Sequence, residues 1–222
     1  MIPVHDSQRS ETTPWVTSLL IAINVFVFIH QLTLDPFTRN EFVFQYGFVP
    51  ARFALDSMVT SMFLHGGWMH LIGNMVFLWV FGDNIEDIFG HGKYLLFYLL
   101  CGMAAALLQF AIHPGSRIPM VGASGAIYGV MGAYAVKFPH ARISMVGWFL
   151  FLFTFELPAW VVMLYYLGVN VASGLGGGVA DVMNERGGTA FFAHIGGFAA
   201  GVALVLLMRT RARSPLRHEA AW

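Results

Sequence analysis

A chain of 222 residues that is 57% hydrophobic and only 11% charged departs from the roughly 25% charged content of soluble domains. Twelve basic and twelve acidic side chains cancel, which gives no reason to expect a nucleic-acid partner. One cysteine, Cys101 in an apolar run, excludes an internal disulfide and argues against a cysteine-based zinc site.

The first fourteen residues are polar and lack the basic segment and short apolar core of a cleavable signal. Residues 1–14 are therefore expected to be a cytoplasmic tail, with the first span directing insertion. Crossing about 30 Å of hydrocarbon takes about 20 apolar residues in a helix. Candidate spans cover residues 15–33, 67–89, 94–113, 124–137, 157–174 and 191–208. The expected fold class is an all-α membrane protein of six transmembrane helices over 15–208, followed by a basic cytoplasmic tail over 209–222. The 24 glycines suit helices that pack closely in lipid.

Two of these spans are unusual. The fourth has 14 residues, about 21 Å of helix, and crosses only if one end lies below the membrane surface. Between Arg142 and Asp181 the apolar stretch exceeds one helix, and Glu156-Leu157-Pro158 breaks it. The fifth helix is placed from there, with residues 143–155 at the interface and Glu156 as a helix-start residue, not an intramembrane carboxylate.

Positive charge sets the orientation. One side of the alternating topology holds Arg9, Lys93, Lys137, Arg142, Arg209, Arg211, Arg213 and Arg217; the other holds Arg39, Arg52, Arg117 and Arg186. Both termini are thus expected in the cytoplasm. With that topology Ser124, His194, His70 and Asn74 all fall in first turns that begin on the outer side. The short fourth helix then has a purpose, which is to hold Ser124 in a water-accessible pocket just below the outer surface.

These residue types support acyl transfer. A serine hydroxyl becomes nucleophilic when an imidazole takes its proton, and His194 can supply that base. No Asp or Glu lies in the outer half of any span to orient it, so a Ser–His dyad is expected and not a triad. His70 and Asn74, at i and i+4, point the same way and can donate to an oxyanion, together with the Ser124 backbone N–H. Gly125-x3-Gly129 and Gly197-x3-Gly201 are small-residue faces that let the fourth and sixth helices approach. Tyr128, one turn after Ser124, is placed to stack on the imidazole. His65 reads as a hydrogen-bonding residue, because five-residue spacing does not put it on the face of His70 for a metal or haem. The remaining histidines read as interfacial or solvated. Serines and GxxxG pairs are common in apolar helices, so the combination carries the inference and no single motif does.

His65-Gly-Gly-Trp-Met-His70-x3-Asn74, Gly122-Ala-Ser124-Gly-Ala-Ile-Tyr128-Gly129 and Ala193-His194-Ile-Gly-Gly197-x3-Gly201 together resemble the rhomboid family of intramembrane serine proteases. The resemblance runs from about residue 15 to 208. It implies a rhomboid-like bundle whose short fourth helix carries Ser124 as nucleophile, with His194 as base, His70 and Asn74 as oxyanion donors, and Tyr128 packed on His194. Gly122, Gly125, Gly129, Gly197 and Gly201 would support them. It implies as partners the lipid bilayer and transmembrane protein substrates, cut near the outer boundary of their helices, with no metal or cofactor. A bacterial cytoplasmic membrane is the expected location. An inactive rhomboid-like protein that binds membrane clients is the alternative, although such proteins usually lose the serine or histidine. One departure is visible: fourteen residues before His70, where many members carry Trp-Arg, this chain has Asp56-Ser57.

Overall fold

The computed structural model describes residues 1–8, 10–148, 152–176 and 191–211. The apolar runs become α1 (Trp15–Thr33), α4 (Trp68–Phe89), α5 (His91–Ile112), α6 (Ser124–Lys137), α7 (Ala159–Gly176) and α8 (Phe191–Leu207). Each starts within three residues of its expected boundary. Among the described residues α1 and α5 are long and apolar enough by composition alone to cross a membrane. α4 matches them in length but ends in Asp83, Asn84, Glu86 and Asp87.

α6 is the centre of the bundle. Its Ala126, Ile127 and every residue from Gly129 to Tyr134 are buried against the helices around it. The core beside it is built from Leu78, Phe81 and Ile85 of α4 and Tyr94, Phe97 and Tyr98 of α5, all shielded from solvent. Leu19, Phe26, Trp79, Leu96 and Leu206 point outward instead. An apolar exterior over an apolar core is what a bilayer selects, since polar groups facing hydrocarbon are costly.

Between α1 and α4 the chain forms α2 (Pro36–Tyr46), a short 3-10 turn, and α3 (Leu55–Thr60). Asp35 caps α2 by accepting from the backbone N–H groups of Phe37 and Thr38 at 3.0 and 3.2 Å. Its hydrogen bonds, those from Thr38 foremost, hold the exposed carboxyl below the ordinary range. Asp56-Ser57 lies in the first turn of α3; Ser57 is buried and its hydroxyl donates to the Ala54 carbonyl at 2.9 Å.

The expectation of a purely helical chain needs correction. Within residues 143–155, expected at the interface, the described residues belong to two paired antiparallel strands, β2 (Arg142–Trp148) and β3 (Leu152–Pro158). β1 (Ile2–Asp6) joins it from the other end of the chain, in the order β1-β2-β3, with Ile2 opposite Val146 and Asp6 opposite Ile143. The ladder is irregular between Pro3 and His5, where proline has no N–H to donate. Buried Ile143 and Met145 alternate with Arg142, Ser144 and Val146, a period of two that suits a strand. Glu156 is consequently a strand residue, 3.6 Å from the Arg142 guanidinium, and α7 begins after Pro158.

Residues 1–14 are also more than a tail. Asp87 accepts from the Glu11 and Thr12 backbone N–H groups at 2.5 and 3.0 Å. Glu86, wholly buried, accepts from the Val16 and Thr17 N–H groups at 2.9 and 2.8 Å and contacts His91 Nδ1 at 2.5 Å. A carboxylate from α4 thus satisfies donors in the first turn of α1 that have no acceptor within their own helix. At the other terminus the Arg211 N–H donates to the Ile88 carbonyl at 2.6 Å. The expected C-terminal tail beyond residue 211 lies outside the described residues, as do residues 177–190 before α8.

Candidate active site

Two helix starts meet at the centre of the site. Ser124 is the first residue of α6 and His194 lies in the first turn of α8; Ser124 Oγ and His194 Nε2 are 2.7 Å apart. Glycine explains how the helices come so close. A Cβ built on Gly197 would collide with the Gly125 carbonyl, and one on Gly201 with the Gly129 carbonyl. Gly125 also faces the Ala105 methyl and Gly129 faces Cys101, while Gly196 of α8 lies against Leu108 and the Ala104 carbonyl, so α5 packs closely on both α6 and α8. Side chains at these positions would push the three helices apart and separate Ser124 from His194.

The imidazole is held on its face and its edge. Tyr128 stacks on it with a centroid distance of 4.4 Å and an interplanar angle of 9°. At the edge, His194 Nδ1 lies 2.5 Å from Oδ1 of Asn170, a buried residue of α7. The Asn170 amide nitrogen donates to the Tyr166 carbonyl at 2.8 Å and also to the Tyr128 hydroxyl. Asn170 was not anticipated, because the expectation of a dyad rested on the lack of a carboxylate and an amide can fill the same place. A polar side chain in an apolar helix is the signal that could have revealed it.

α4 brings up His70 and Asn74. Gly122, at φ +117°, occupies the left-handed region that favours glycine, and a Cβ there would lie 2.7 Å from His70 Nε2 and 3.5 Å from Asn74 Nδ2. The loop before Ser124 therefore passes directly over both side chains. The Gly66 backbone N–H approaches His70 Nδ1 at 3.5 Å, which leaves Nε2 directed at Gly122. Asn74 Nδ2 lies 2.9 Å from His65 Nε2, and Gln31 clasps His65 through its backbone N–H at 3.0 Å and its carbonyl at 3.2 Å. An amide nitrogen only donates, so His65 Nε2 accepts and one Asn74 N–H remains for the cavity. His65 is a hydrogen-bonding residue as expected; its role in orienting Asn74 was not foreseen.

A cavity of about 770 Å³ joins these groups, lined among others by His70, Asn74, Gly122, Ser124, Tyr128 and His194. His70 is exposed to it and Ser124 is half-buried. Phe77 of α4 and Tyr166 of α7 meet edge to face at 4.9 Å on one flank. Among the described residues no group of His, Cys, Asp and Glu is arranged to hold a metal ion.

A model of the rhomboid domain matches residues 52–211, which covers α3, α4, α5, α6, α7 and α8 and every residue of the site named above except Gln31. The chain belongs to the rhomboid family. It is 32% identical over 191 residues to the mitochondrial Rhomboid protein 1 of Saccharomyces cerevisiae, covering 82% of this chain and 50% of that one. It is 27% identical over 193 residues to Rhomboid-like protease 3 of Toxoplasma gondii, covering 86% and 66%. With Rhomboid protease GluP of Bacillus subtilis it shares 29% over 199 residues, covering 87% and 35%. The chain thus spans half of the yeast protein and about a third of the bacterial one. Rhomboid proteins are integral to membranes, and the family includes serine proteases that act within the bilayer. The relatives come from mitochondria as well as from a bacterium. Membership therefore gives no support to the bacterial inner membrane expected above.

Proposed function

We propose that this rhomboid protein is an intramembrane serine endopeptidase that hydrolyses peptide bonds in or near the transmembrane segments of other membrane proteins. The observation that carries the proposal is the 2.7 Å contact between Ser124 Oγ and His194 Nε2, inside a cavity that also exposes His70 and Asn74. In this reading six helices cross the bilayer: α1, α4, α5, α6, α7 and α8. Both termini are cytoplasmic and the site opens near the outer surface.

Ser124 Oγ attacks the carbonyl carbon of the scissile bond as its proton passes to His194 Nε2. The new Oγ–C bond forms, and the carbonyl π pair moves onto oxygen. That oxyanion sits before His70 Nε2, the spare N–H of Asn74 and the backbone N–H of Ser124, which in the first helical turn has no acceptor within α6. Collapse breaks the C–N bond, and His194 returns its proton to the leaving amine. Water, activated by the same imidazole, then releases the acyl group from Ser124. An intact substrate helix hides its carbonyls in its own hydrogen bonds, so the segment must unwind to reach Ser124.

Purified protein in liposomes with a generic single-pass substrate tests this. Cleavage is expected from the unaltered chain and expected to be lost in Ser124→Ala and in His194→Ala, with both variants folded. Cleavage that survives either substitution refutes the assignment.

A further inference from the structure

We infer that Asn170 is a positioning residue that fixes which nitrogen of His194 carries the proton, and so makes the base depend on α7. This rests on the reading of Ser124 and His194 as nucleophile and base. The orientation of the Asn170 amide follows from its neighbours. Its nitrogen lies 2.8 Å from the Tyr166 carbonyl, a group that can only accept, so the NH2 end must face that oxygen. The oxygen end is then turned to His194 Nδ1 at 2.5 Å. An amide oxygen cannot donate, so Nδ1 must carry the hydrogen. A neutral imidazole has a single N–H, which leaves Nε2 bare and aimed at Ser124 Oγ, 2.7 Å away. The backbone of α7 thereby selects, through one amide, the tautomer a general base requires.

The same amide constrains the ring a second way. Its NH2 group also donates to the hydroxyl of Tyr128, whose ring lies 4.4 Å above the imidazole and parallel to it. Stacking sets the plane of the imidazole, and the Nδ1 contact sets its rotation within that plane. When Nε2 takes the Ser124 proton, the Nδ1–H bond to Asn170 becomes charge-assisted and strengthens. A carboxylate does this in most triads and an asparagine in papain-like enzymes. Ser124 and His194 lie on α6 and α8 while the acceptor lies on α7, so the catalytic set is complete only with α7 in place.

Two rates separate this role from a packing role. One is phosphonylation of Ser124 by a small fluorophosphonate, which needs the base but no helical substrate. The other is steady-state cleavage in liposomes, resolved into kcat and KM. Asn170→Leu keeps the four-heavy-atom branched shape, with somewhat more bulk, and removes the acceptor. It is expected to lower both phosphonylation and kcat by roughly 10- to 100-fold with KM little changed. Asn170→Asp, which keeps an acceptor oxygen in either protonation state, is expected to recover most of that loss. Asn170→Leu that melts normally and reacts within twofold of the unaltered chain overturns the inference. So does Asn170→Asp that is no better than Asn170→Leu.

A measurement on the unaltered chain removes any dependence on folding of the variants. Its 15N-histidine spectrum, assigned by difference against His194→Gln, is expected to show the proton on Nδ1 of His194; a proton on Nε2 overturns the inference. Failure of the underlying reading looks different. Ser124→Ala that still cleaves defeats the protease proposal itself, whereas an inert Ser124→Ala beside an unaffected Asn170→Leu defeats only the role of Asn170.

Discussion

Substituting Gly197 by alanine tests whether backbone contact between α6 and α8 sets the Ser124–His194 distance. A Cβ on Gly197 would lie 2.8 Å from the Gly125 carbonyl carbon and closer still to its oxygen. Carbon atoms rest about 3.5–4.0 Å apart, so relieving the carbon contact alone separates α6 and α8 locally by roughly 0.7–1.2 Å, and the nearer oxygen sets this as the minimum. Nothing flexible lies in the way: the nearest atoms, Gly125 O, C and Cα, are all backbone. Gly125 adjoins Ser124 and Gly197 is three residues from His194, so the wedge opens directly beneath the pair. Starting from 2.7 Å, a shift of that size takes Oγ and Nε2 to about 3.4–3.9 Å, beyond a productive hydrogen bond. Misplacement of about 1 Å costs on the order of 100-fold in rate, and overpacking costs about 1–3 kcal/mol of stability. Gly92→Ala is the control, because nothing lies within 4 Å of a Cβ there and alanine favours a helix over glycine. Cleavage rate in liposomes and melting temperature in detergent read the two effects. Gly197→Ala that cleaves at the rate of Gly92→Ala and melts with it would refute the close-contact explanation.

The donors on α4 and the anchor at its far end should separate chemistry from stability. His70→Ala and Asn74→Ala are each expected to lower kcat by roughly 100- to 1,000-fold with smaller changes in KM, measured by steady-state cleavage. Glu86→Ala strips the acceptor from the Val16 and Thr17 N–H groups and is expected to destabilise the fold by about 3 kcal/mol, read in a reversible unfolding titration. Glu86 stands twelve residues beyond Asn74, about 18 Å along the helix, so kcat per folded molecule should be unchanged.

The five longer helices, α1, α4, α5, α7 and α8, were legible because an apolar run of that length has few alternatives to a helix. The short α6 was equally clear, and its shortness was informative. The sheet was not legible. Ile2–Asp6 pairs with a strand some 140 residues later, and nothing local in a polar N-terminal stretch announces such a partner. The alternation of Ile143 and Met145 with Arg142 and Ser144 was available but was hidden by the surrounding apolar sequence. Within the site, motif spacing named Ser124, His194, His70, Asn74 and Tyr128. The residues that orient them escaped. Asn170 reaches His194 only because α7 packs against α8, and His65 reaches Asn74 from a loop nine residues earlier, where helical periodicity does not apply. Spacing reveals which side chains share a helix face, and tertiary packing decides which side chains hold them.

The central claim, that Ser124 is a nucleophile activated by His194 at the membrane face, is tested most directly by finding where a fluorophosphonate attaches. Mass spectrometry of the labelled protein in liposomes should place the adduct on the peptide that contains Ser124. The adduct should disappear in His194→Ala, although the serine is still present. An adduct on another serine, or labelling of Ser124 that is as fast without His194 as with it, would contradict the claim.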